Sequence, residues 1–508
     1  AGMPGHRRDV PSIQAGRAGR WRAGPPALSW RPPGGRDVTG HLQLIVAAVT
    51  NTPARSVVTA RTQMAATLSF HIILACFGVA FPAVVLTAHY LGLRRHDQAA
   101  LLLARRWSKV MAVLVAVGAV TGTVLSFEMG LLWPGLMGRF GGVIGIPFAV
   151  EGIFFFLEAV FTAIYLYGWD RLPRWAHFWT GVPVVISGIL GALSVVGANS
   201  WMNQPGGFTL THGKVTAVNP WAVIFNRAFY YEVPHMILAA YMVTGFLVAA
   251  VYAVGMLRGR RSRYHRLGLL IPFTIAAVAT PLQIFVGDTA ARAIAKQQPV
   301  KFAAMEYVVH THRGVTEWIG GLFIHGQVYL GLQIPYFDSL LTGFSPHTKV
   351  TGWDSVPASD RPPAPWLIHM SFDTMVGLGF LMLAAAAWLG LYWWRRRHLP
   401  ATRWFYAAVA ACGPAAVIAM ECGWIVTEVG RQPWVVYGYL TTSQAATTAG
   451  GVPAGLAGII VLYFALGAAI LGVIYQMSRH WQREEVGEHE VPYGPGAPAE
   501  PAHDRASP

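Results

Sequence analysis

The sequence predicts an all-α integral membrane protein with about nine transmembrane helices, its N-terminus outside and its C-terminus inside. Of its 508 residues, 54% are hydrophobic and only 12% are charged, and the mean hydropathy is +0.43. A soluble domain carries roughly 25% charged residues, so most of this surface is expected to face lipid. The formal net charge of +15 does not indicate nucleic acid binding, because the basic residues lie in short clusters between apolar runs.

The transmembrane helices are predicted from apolar stretches that are long enough to span a bilayer. A spanning helix needs about 20 mostly apolar residues. Nine stretches meet this length, and several exceed it, which predicts tilted helices or helix ends in the interface. They comprise approximately residues 64–91, 108–132, 143–168, 177–202, 221–256, 265–287, 365–394, 402–428 and 455–477.

The orientation of the helices is predicted from the basic residues of the loops. Arginine and lysine are concentrated after the first, third, fifth, seventh and ninth stretches, whereas the alternate loops carry few of them for their length. Because cytoplasmic loops carry the excess of basic residues, these five loops are predicted to lie inside. They contain Arg94, Arg95, Arg105, Arg106, Lys109, Arg171, Arg174, Arg258, Arg260, Arg261, Arg263, Arg266, Arg395, Arg396, Arg397, Arg403, Arg479 and Arg483.

The segments outside the membrane divide the chain into five regions. Residues 1–60 are rich in Arg, Gly and Pro and are predicted to be a disordered N-terminal extension. Residues 61–287 hold transmembrane helices 1–6, and residues 365–478 hold helices 7–9. The one long loop, residues 288–364, is predicted to lie outside and is too apolar for plain disorder, which favours a functional loop. Residues 479–508 are predicted to be a disordered cytoplasmic tail.

Five ligand-type side chains lie at a similar depth in five different predicted helices, in the half of the bilayer that is expected to be the outer one. Ionisable groups inside a span are costly and tend to be functional. Imidazole, thioether and carboxylate groups together can ligate the iron of a porphyrin. The pattern alone leaves two alternatives open, a haem protein and a haem-free proton-coupled transporter. The five residues are His71, Glu151, His235, Met375 and Glu421.

Three further charged residues are candidates for proton and quinol chemistry. Glu158 lies two helical turns after Glu151, so both carboxyls share one face and indicate a proton relay that leads inward. Lys301 and Glu306 stand in the outer loop, five residues apart, where a helix would not place them on one face. A quinol needs a group that accepts a proton as its electron leaves.

Several segments, in order along the chain, resemble subunit I of the cytochrome bd-type quinol oxidases. The resemblance runs from about Arg61 to Met477, with a short outer quinol loop, and its most specific part is GRQPW. The segments that carry it are RTQMAATLSFH, GIPFAVEGIFFFLEAVF with GWDRL, ANSWMNQP, PHMILAAYMVTG, FDTMVGLGF and ECGWIVTEVGRQPW.

This resemblance implies three haems as cofactors. His235 and Met375 correspond to the iron ligands of a low-spin haem b, which takes electrons from quinol. His71 and Glu421 correspond to the proximal ligands of two high-spin haems, a haem b and a chlorin-type haem d, without a decision on which serves which. Arg431, in GRQPW, corresponds to a cofactor-binding residue.

The resemblance also implies the remaining roles and the setting of the protein. Glu151 corresponds to the carboxylate beside the oxygen-reducing haem, and Glu158 to a member of the proton path from the inside. Lys301 and Glu306 match the quinol-site pair. The chain is then expected in a bacterial cytoplasmic (inner) membrane, with a small membrane subunit II as partner. It would oxidise menaquinol or ubiquinol outside and reduce O2 to water with protons from the inside, electrogenically but without pumping.

Two alternatives and two departures accompany this interpretation. A bd-like quinol oxidase with b haems only would have the same sequence features. A haem-free transporter would usually show inverted repeats or paired broken helices, and the sequence shows none. Ser126 replaces a carboxylate of the family's second span, with Glu128 two residues on, and Asp373 stands where some members carry Arg.

Overall fold

Long apolar helices make up most of the structure. A computed structural model describes residues 53–324, 326–484 and 493 of the chain. Within this part, nine helices are long and apolar enough to cross a membrane, which confirms the predicted fold class; the orientation stays a prediction. These are α1 (Pro53–Arg95), α2 (Gln98–Leu132), α3 (Pro134–Gly168), α4 (Arg174–Asn203), α6 (Phe229–Leu257), α7 (Arg263–Gln297), α10 (Pro365–Arg396), α11 (Arg403–Gly430) and α13 (Val452–Glu484).

The two ends of the chain differ from the predicted boundaries. The first helix begins at Pro53, so the last residues of the predicted extension 1–60 are helical. The last helix continues to Glu484, past the predicted start of the tail. The remainder of the extension, and the tail from residue 485 except Tyr493, lie outside the described residues.

Side-chain caps fix where three of the spanning helices begin. The Asp97 carboxylate accepts the backbone N–H groups of Ala99 and Ala100 and so caps α2. Ser262 and Thr402 cap α7 and α11 in the same way. Such oxygens satisfy donors that the first turn of a helix leaves free. The polar loops between the spans therefore define the helix ends that composition alone places only approximately.

The fifth span is shorter than predicted, because the chain turns before it. Instead of one helix over 221–256, a short helix α5 (Pro220–Ile224) precedes α6. Asn219 caps α5. The Asn226 carboxamide oxygen accepts the backbone N–H groups of Ala228 and Phe229, which stabilises the turn between the two helices. An antiparallel hairpin, β1 (Phe208–Thr211) with β2 (Lys214–Val218), lies before α5.

The outer loop, residues 288–364, has secondary structure of its own. Helix α7 continues to Gln297 rather than ending near residue 287, and short elements follow. The strands pair antiparallel as β3–β8, β4–β7 and β5–β6. In chain order the elements are α8 (Pro299–Met305), β3 (His312–Arg313), β4 (Glu317–Ile319), β5 (Leu322–Ile324), β6 (Gln327–Tyr329), β7 (Leu332–Ile334), α9 (Phe337–Gly343) and β8 (Lys349–Val350), followed by two 3-10 turns.

A second short outer segment follows α11. It contains the antiparallel pair β9 (Trp434–Val436) and β10 (Leu440–Thr441) and the helix α12 (Thr442–Ala445). It begins in the GRQPW motif and leads to α13.

Close backbone approach holds the central helices together. Between α6 and α7, a Cβ added at Gly245 would come within 2.6 Å of the Pro272 carbonyl oxygen. Between α1 and α4, one added at Gly188 would come within 2.9 Å of the Gly78 carbonyl oxygen. Lipid provides no hydrophobic drive between helices, so small residues that allow such contacts stabilise the packing. The candidate ligands on these helices are thereby held on a rigid frame.

A hydrogen-bonded cluster of histidine and tyrosine lies at the predicted inner end of the bundle. His89 on α1 contacts the Tyr165 hydroxyl through Nδ1 at 2.9 Å and the Tyr493 hydroxyl through Nε2 at 2.6 Å. His177 Nδ1 lies 3.2 Å from the same Tyr493 hydroxyl. All four side chains are buried. The cluster therefore joins a residue of the tail to α1, α3 and α4.

Candidate functional site

His71 is held with one ring nitrogen free to act as a ligand. Its Nδ1 lies 2.9 Å from the Thr121 hydroxyl oxygen on α2. That hydroxyl donates its only hydrogen to the backbone carbonyl of Gly118 or Val117. When the hydroxyl donates to a carbonyl in this way, it accepts from the His71 Nδ1–H, and Nε2 is left unprotonated. A metal-binding histidine is oriented by such a partner on its other nitrogen.

The Glu421 carboxyl lies beside the same turn of α1. Ser69, two residues before His71, hydrogen-bonds to it. Its Oε1 atom is buried and accepts no hydrogen bond from the described residues. Helix α1 thus carries His71 and, through Ser69, contacts Glu421 on α11, and both predicted proximal ligands retain an unused ligand atom.

His235 and Met375 each have a glycine of another helix beside the ligand atom. A Cβ at Gly287 would lie 3.4 Å from His235 Nε2, and one at Gly423 would lie 3.0 Å from Met375 Sδ. The Gln283 side-chain nitrogen lies 3.1 Å from His235 Nε2, as a donor to an unprotonated nitrogen. The two glycines leave space beside the imidazole and the thioether, and His235 Nε2 can ligate a metal once the Gln283 amide moves off it. This donor set and the space beside it fit a haem iron.

Arg431 joins two of the sequence motifs that resemble the oxidase family. Its Nη2 donates to Glu428 Oε2 at 2.6 Å, and the Asn199 amide of ANSWMNQP donates to the other oxygen of Glu428 at 2.7 Å. The Nε and Nη1 atoms of Arg431 are buried without a partner among the described residues. A buried guanidinium with two free donors is suited to an anionic group such as a haem propionate.

Glu151 and Glu158 share one face of α3, as predicted. Glu158 is buried and faces α1, where a Cβ at Gly78 would lie 3.5 Å from its Oε1 atom. Thr162, one turn further on, has a buried hydroxyl that has no partner in the described chain, and Tyr165 follows at the histidine cluster. These side chains form a polar file along α3 that reaches the predicted inner end.

Lys301 is buried on α8 and points into the bundle. Its Nζ donates to the Thr427 carbonyl oxygen at 3.3 Å, and a Cβ at Gly430 would lie 2.9 Å from its Cγ atom. Burial lowers the pKa of Lys301 to about 8, although the nearby Glu232 carboxylate opposes that shift. Glu232 in turn accepts a hydrogen bond from Asn203 at 2.9 Å. Lys301 therefore belongs to the polar network of Arg431.

Glu306 faces a different set of groups. One oxygen each of Glu306, Glu317 and Asp338 lies within 4.8 Å of the others. Burial, and then the Glu317 carboxyl, raise the pKa of Glu306 well above its usual value. Burial likewise raises the pKa values of Glu317 and Asp338 to about 7. Lys301 and Glu306, predicted as a pair, thus lie at the two ends of α8 and contact separate clusters.

Asp373 on α10, which stands where some family members carry Arg, hydrogen-bonds the outer loop to the bundle. Its Oδ2 accepts the backbone N–H of Gly320 at 2.5 Å and lies 3.2 Å from His369 Nε2. The His369 ring stacks on Tyr307 at 3.8 Å between centroids, and its Nδ1 lies 2.5 Å from the Met305 carbonyl oxygen. A carboxylate at this position therefore has a structural role in this chain.

Comparison with known proteins identifies the family. The family of the cytochrome bd terminal oxidase subunit I matches residues 59–482. The chain belongs to this family. The resemblance inferred from the motifs is confirmed, and a haem-free transporter is set aside.

Relatives and a solved structure agree over nearly the whole membrane part. A protein of Bacillus subtilis (strain 168) that is provisionally named a cytochrome bd menaquinol oxidase subunit I is 34% identical over 442 residues, 85% of this chain and 98% of the relative. Cytochrome bd ubiquinol oxidase subunit 1 of the same organism is 28% identical, over 86% of this chain and 96% of the relative. The bd oxidase structure from Geobacillus thermodenitrificans matches with a TM-score of 0.79 and 36% identity, over 84% of this chain and 98% of that chain.

Membership of the cytochrome bd subunit I family establishes the coarse function. The chain is a multi-pass membrane subunit of a terminal quinol oxidase, an oxidoreductase of a respiratory chain. The family implies haem cofactors, quinol and O2 as substrates, and a membrane complex in a bacterial inner membrane.

Several polar residues of these clusters were not recognised in the sequence. Glu232, Glu428, Glu317 and Asp338 lie near helix ends or in the outer loop, where isolated carboxylates are usually solvated. For Glu232 a signal existed, since it lies one helical turn before His235. For Glu317 and Asp338 none did, because the strand pairing of the outer loop brings them together.

The carboxyl cluster predicts how the stability of the outer loop depends on pH. The pKa values of Glu317 and Asp338 are raised from 4.5 and 3.8 to about 7, so the folded loop retains protons that the unfolded loop has lost. Stability should therefore fall as the pH rises from about 5 through 7 in buffer free of divalent cations. Limited proteolysis of the loop at each pH measures this. Glu317→Gln should flatten the dependence, and greater resistance at pH 8 than at pH 6 would contradict it.

Proposed function

We propose that this chain oxidises quinol at the outer face of the membrane and reduces O2 to water with protons taken from the inside. The observation that carries the proposal is the buried Arg431, whose two free donors lie where GRQPW, ANSWMNQP and α8 meet. Glu428 already balances the charge of Arg431, so its two unused buried N–H donors need a further hydrogen-bond acceptor. A haem propionate supplies one and leaves Lys301 beside it for the quinol.

The residues that would hold the haems lie on four helices. His235 on α6 and Met375 on α10 would ligate a low-spin haem b, and His71 on α1 and Glu421 on α11 the two high-spin haems. When bound, haems accept single electrons and offer iron to O2. Thr121, by orienting His71, keeps the ligand nitrogen unprotonated. We infer haem d as the third cofactor from the resemblance; a chain with b haems only is the alternative.

Lys301 and Glu306 would act on the quinol from the two ends of α8. Lys301, with its pKa lowered to about 8 by burial, donates a hydrogen bond to a quinol oxygen. Glu306 accepts a proton as the electron leaves. Both side chains are buried beneath the outer loop, so the quinol reaches them from the membrane and its protons are released on the outer side.

Glu151 and Glu158 would deliver protons for oxygen reduction from the opposite face. The polar file along α3 continues from Glu158 through Thr162 and Tyr165 toward the predicted inner end. Because quinol releases protons outside and oxygen reduction consumes them from inside, charge is separated across the membrane without a pump. This electrogenic mechanism depends on the orientation that the basic loops predict, with the N-terminus outside.

A smaller membrane subunit, subunit II, would cover part of the apolar surface. The central windows of α2, α10 and α13 are only 17%, 17% and 11% buried within this chain. Their apolar faces contact lipid or another membrane chain. We propose that a complex with subunit II in a bacterial cytoplasmic membrane is the working form of the enzyme.

The ligand assignment predicts the spectrum of the purified complex. Met375→Leu removes the thioether but keeps the volume, so the reduced minus oxidised spectrum should lose its low-spin component. Met382→Leu, at a buried core methionine of the same helix, is the matched control and should leave the spectrum unchanged. A low-spin signal that survives in Met375→Leu refutes the assignment. In the wild type, an absorption band at the long wavelengths typical of a chlorin would show that haem d is present in addition to b haems.

The quinol site predicts a selective loss of quinol oxidation. Lys301→Met removes the buried ammonium, and kcat/KM for quinol should fall by roughly 10²-fold, whereas chemical reduction by dithionite should give the same spectrum. Lys296→Met, at an exposed lysine on the last turn of α7, is the control. Equal quinol kinetics in the two variants would place the quinol site elsewhere.

The proton file predicts a selective loss of oxygen reduction. Glu158→Gln cannot take up and release a proton, so O2 consumption should slow by roughly 10²-fold, while quinol still reduces the protein. Glu128→Gln changes another buried carboxyl, which accepts a hydrogen bond from Gln63 at 2.8 Å, and should retain most of the activity. Normal O2 consumption by Glu158→Gln would remove this residue from the proton path.

A further inference from the structure

Three carboxylates from separate segments of the outer loop converge on one point. Glu306 directly follows α8, Glu317 opens β4, and Asp338 lies in the first turn of α9. One oxygen of each lies within 4.8 Å of one oxygen of each of the others. The strand pairing and the helix of the loop bring together residues that are up to 32 positions apart (306 to 338).

The carboxylates are buried and their oxygens are not all satisfied. Glu306 is 4% exposed and Asp338 only 1%. Glu306 Oε2, Glu317 Oε2 and Asp338 Oδ2 are buried and accept no hydrogen bond from the residues that the structure describes. The other oxygen of Asp338 accepts one from Thr342 at 3.3 Å. An unpaired buried carboxylate is costly unless a cation or a proton neutralises it.

No basic side chain balances this charge. None of the three carboxylates forms a salt bridge within residues 53–324 and 326–484. The basic group that acts on Glu317 is His369, and His369 is already paired with Asp373 at 3.2 Å. The neighbourhood therefore contains four carboxyls and one imidazole, and two of the carboxyls, Glu306 and Glu317, hydrogen-bond to each other, so a shared proton or a cation must offset the negative charge.

The spacing of the oxygens matches a calcium ion. Calcium takes oxygen ligands at about 2.3–2.6 Å, so two ligands on opposite sides of one ion lie at most roughly 5 Å apart. Three carboxylate oxygens within 4.8 Å of one another are close enough for small side-chain shifts to bring them onto one ion. Carboxylates are also the ligands that hard divalent cations prefer.

We propose that Glu306, Glu317 and Asp338 bind one divalent cation of the calcium type. The ion would tie the end of α8, the strand β4 and the helix α9 into one unit and so hold the outer loop closed over Lys301. Each carboxylate has a second oxygen, so Glu306 can ligate the ion and still accept a proton from quinol. The site does not depend on the proposed quinol chemistry.

Metal content of the intact oxidase complex tests the site without turnover. The complex is dialysed against a chelator and then against buffered micromolar Ca²⁺, and calcium is counted per chain by mass spectrometry. The wild type should hold one Ca²⁺ per chain. The Asp338→Asn variant should bind Ca²⁺ roughly tenfold more weakly, because affinity follows the number of charged ligands. Asp360→Asn, at a partly exposed carboxylate of the same loop outside the cluster, is the matched control and should bind like the wild type.

A second measurement separates binding from folding. Chelator treatment should make the outer loop of the wild type easier to nick with protease, and Ca²⁺ should reverse this. If Asp338→Asn does not assemble, Glu317→Gln replaces it with the same expectation. The proposal would be overturned if the wild type held no calcium above the buffer background. It would also be overturned if the wild type, Asp338→Asn and Glu317→Gln bound calcium equally, and either result would assign the cluster to shared protons. Neither result bears on the Lys301 experiment.

Discussion

Arg431 must be neutralised where it lies, because its side chain is 2% exposed in the low-dielectric end of a helical bundle. Glu428 provides the charge, and Asn199 holds Glu428 from α4. From there the network passes through Asn203 to Glu232 on α6 and on to Lys301 below the outer loop. Replacing one partner would leave a buried charge unpaired, which is costly. The network explains why motifs more than 200 residues apart in the sequence act as one site.

Helix α1 runs from the depth of the candidate ligands to the predicted inner end of the bundle. It carries His71, contacts Glu421 through Ser69, approaches Glu158 at Gly78 and reaches the tail through His89. One helix thus fixes His71 relative to Glu421, Glu158 and the histidine cluster. The proposed chemistry, with electrons from one face and protons from the other, needs such a fixed spacing.

The membrane part could be predicted from the sequence because lipid imposes a strong rule: about 20 apolar residues per span, with basic residues at one side. The candidate ligands could be named because ionisable groups are rare inside spans. The rule does not apply to the segments outside the lipid, which are in contact with water. The turn at Asn226 shortened the fifth span, and Glu317 met Asp338 only through strand pairing. Glu232 and Glu428 lie near helix ends, where a carboxylate carries no signal until its buried partner is known.

Gly430 is the residue that lets Lys301 pass between α8 and α11, since a Cβ there would lie 2.9 Å from the lysine Cγ. The two positions are 129 residues apart, yet one sets the space available to the other. In related sequences they should therefore change together. A larger residue at 430 is compatible with a shorter side chain at 301, so the glycine that ends α11 also marks the presence of a buried lysine.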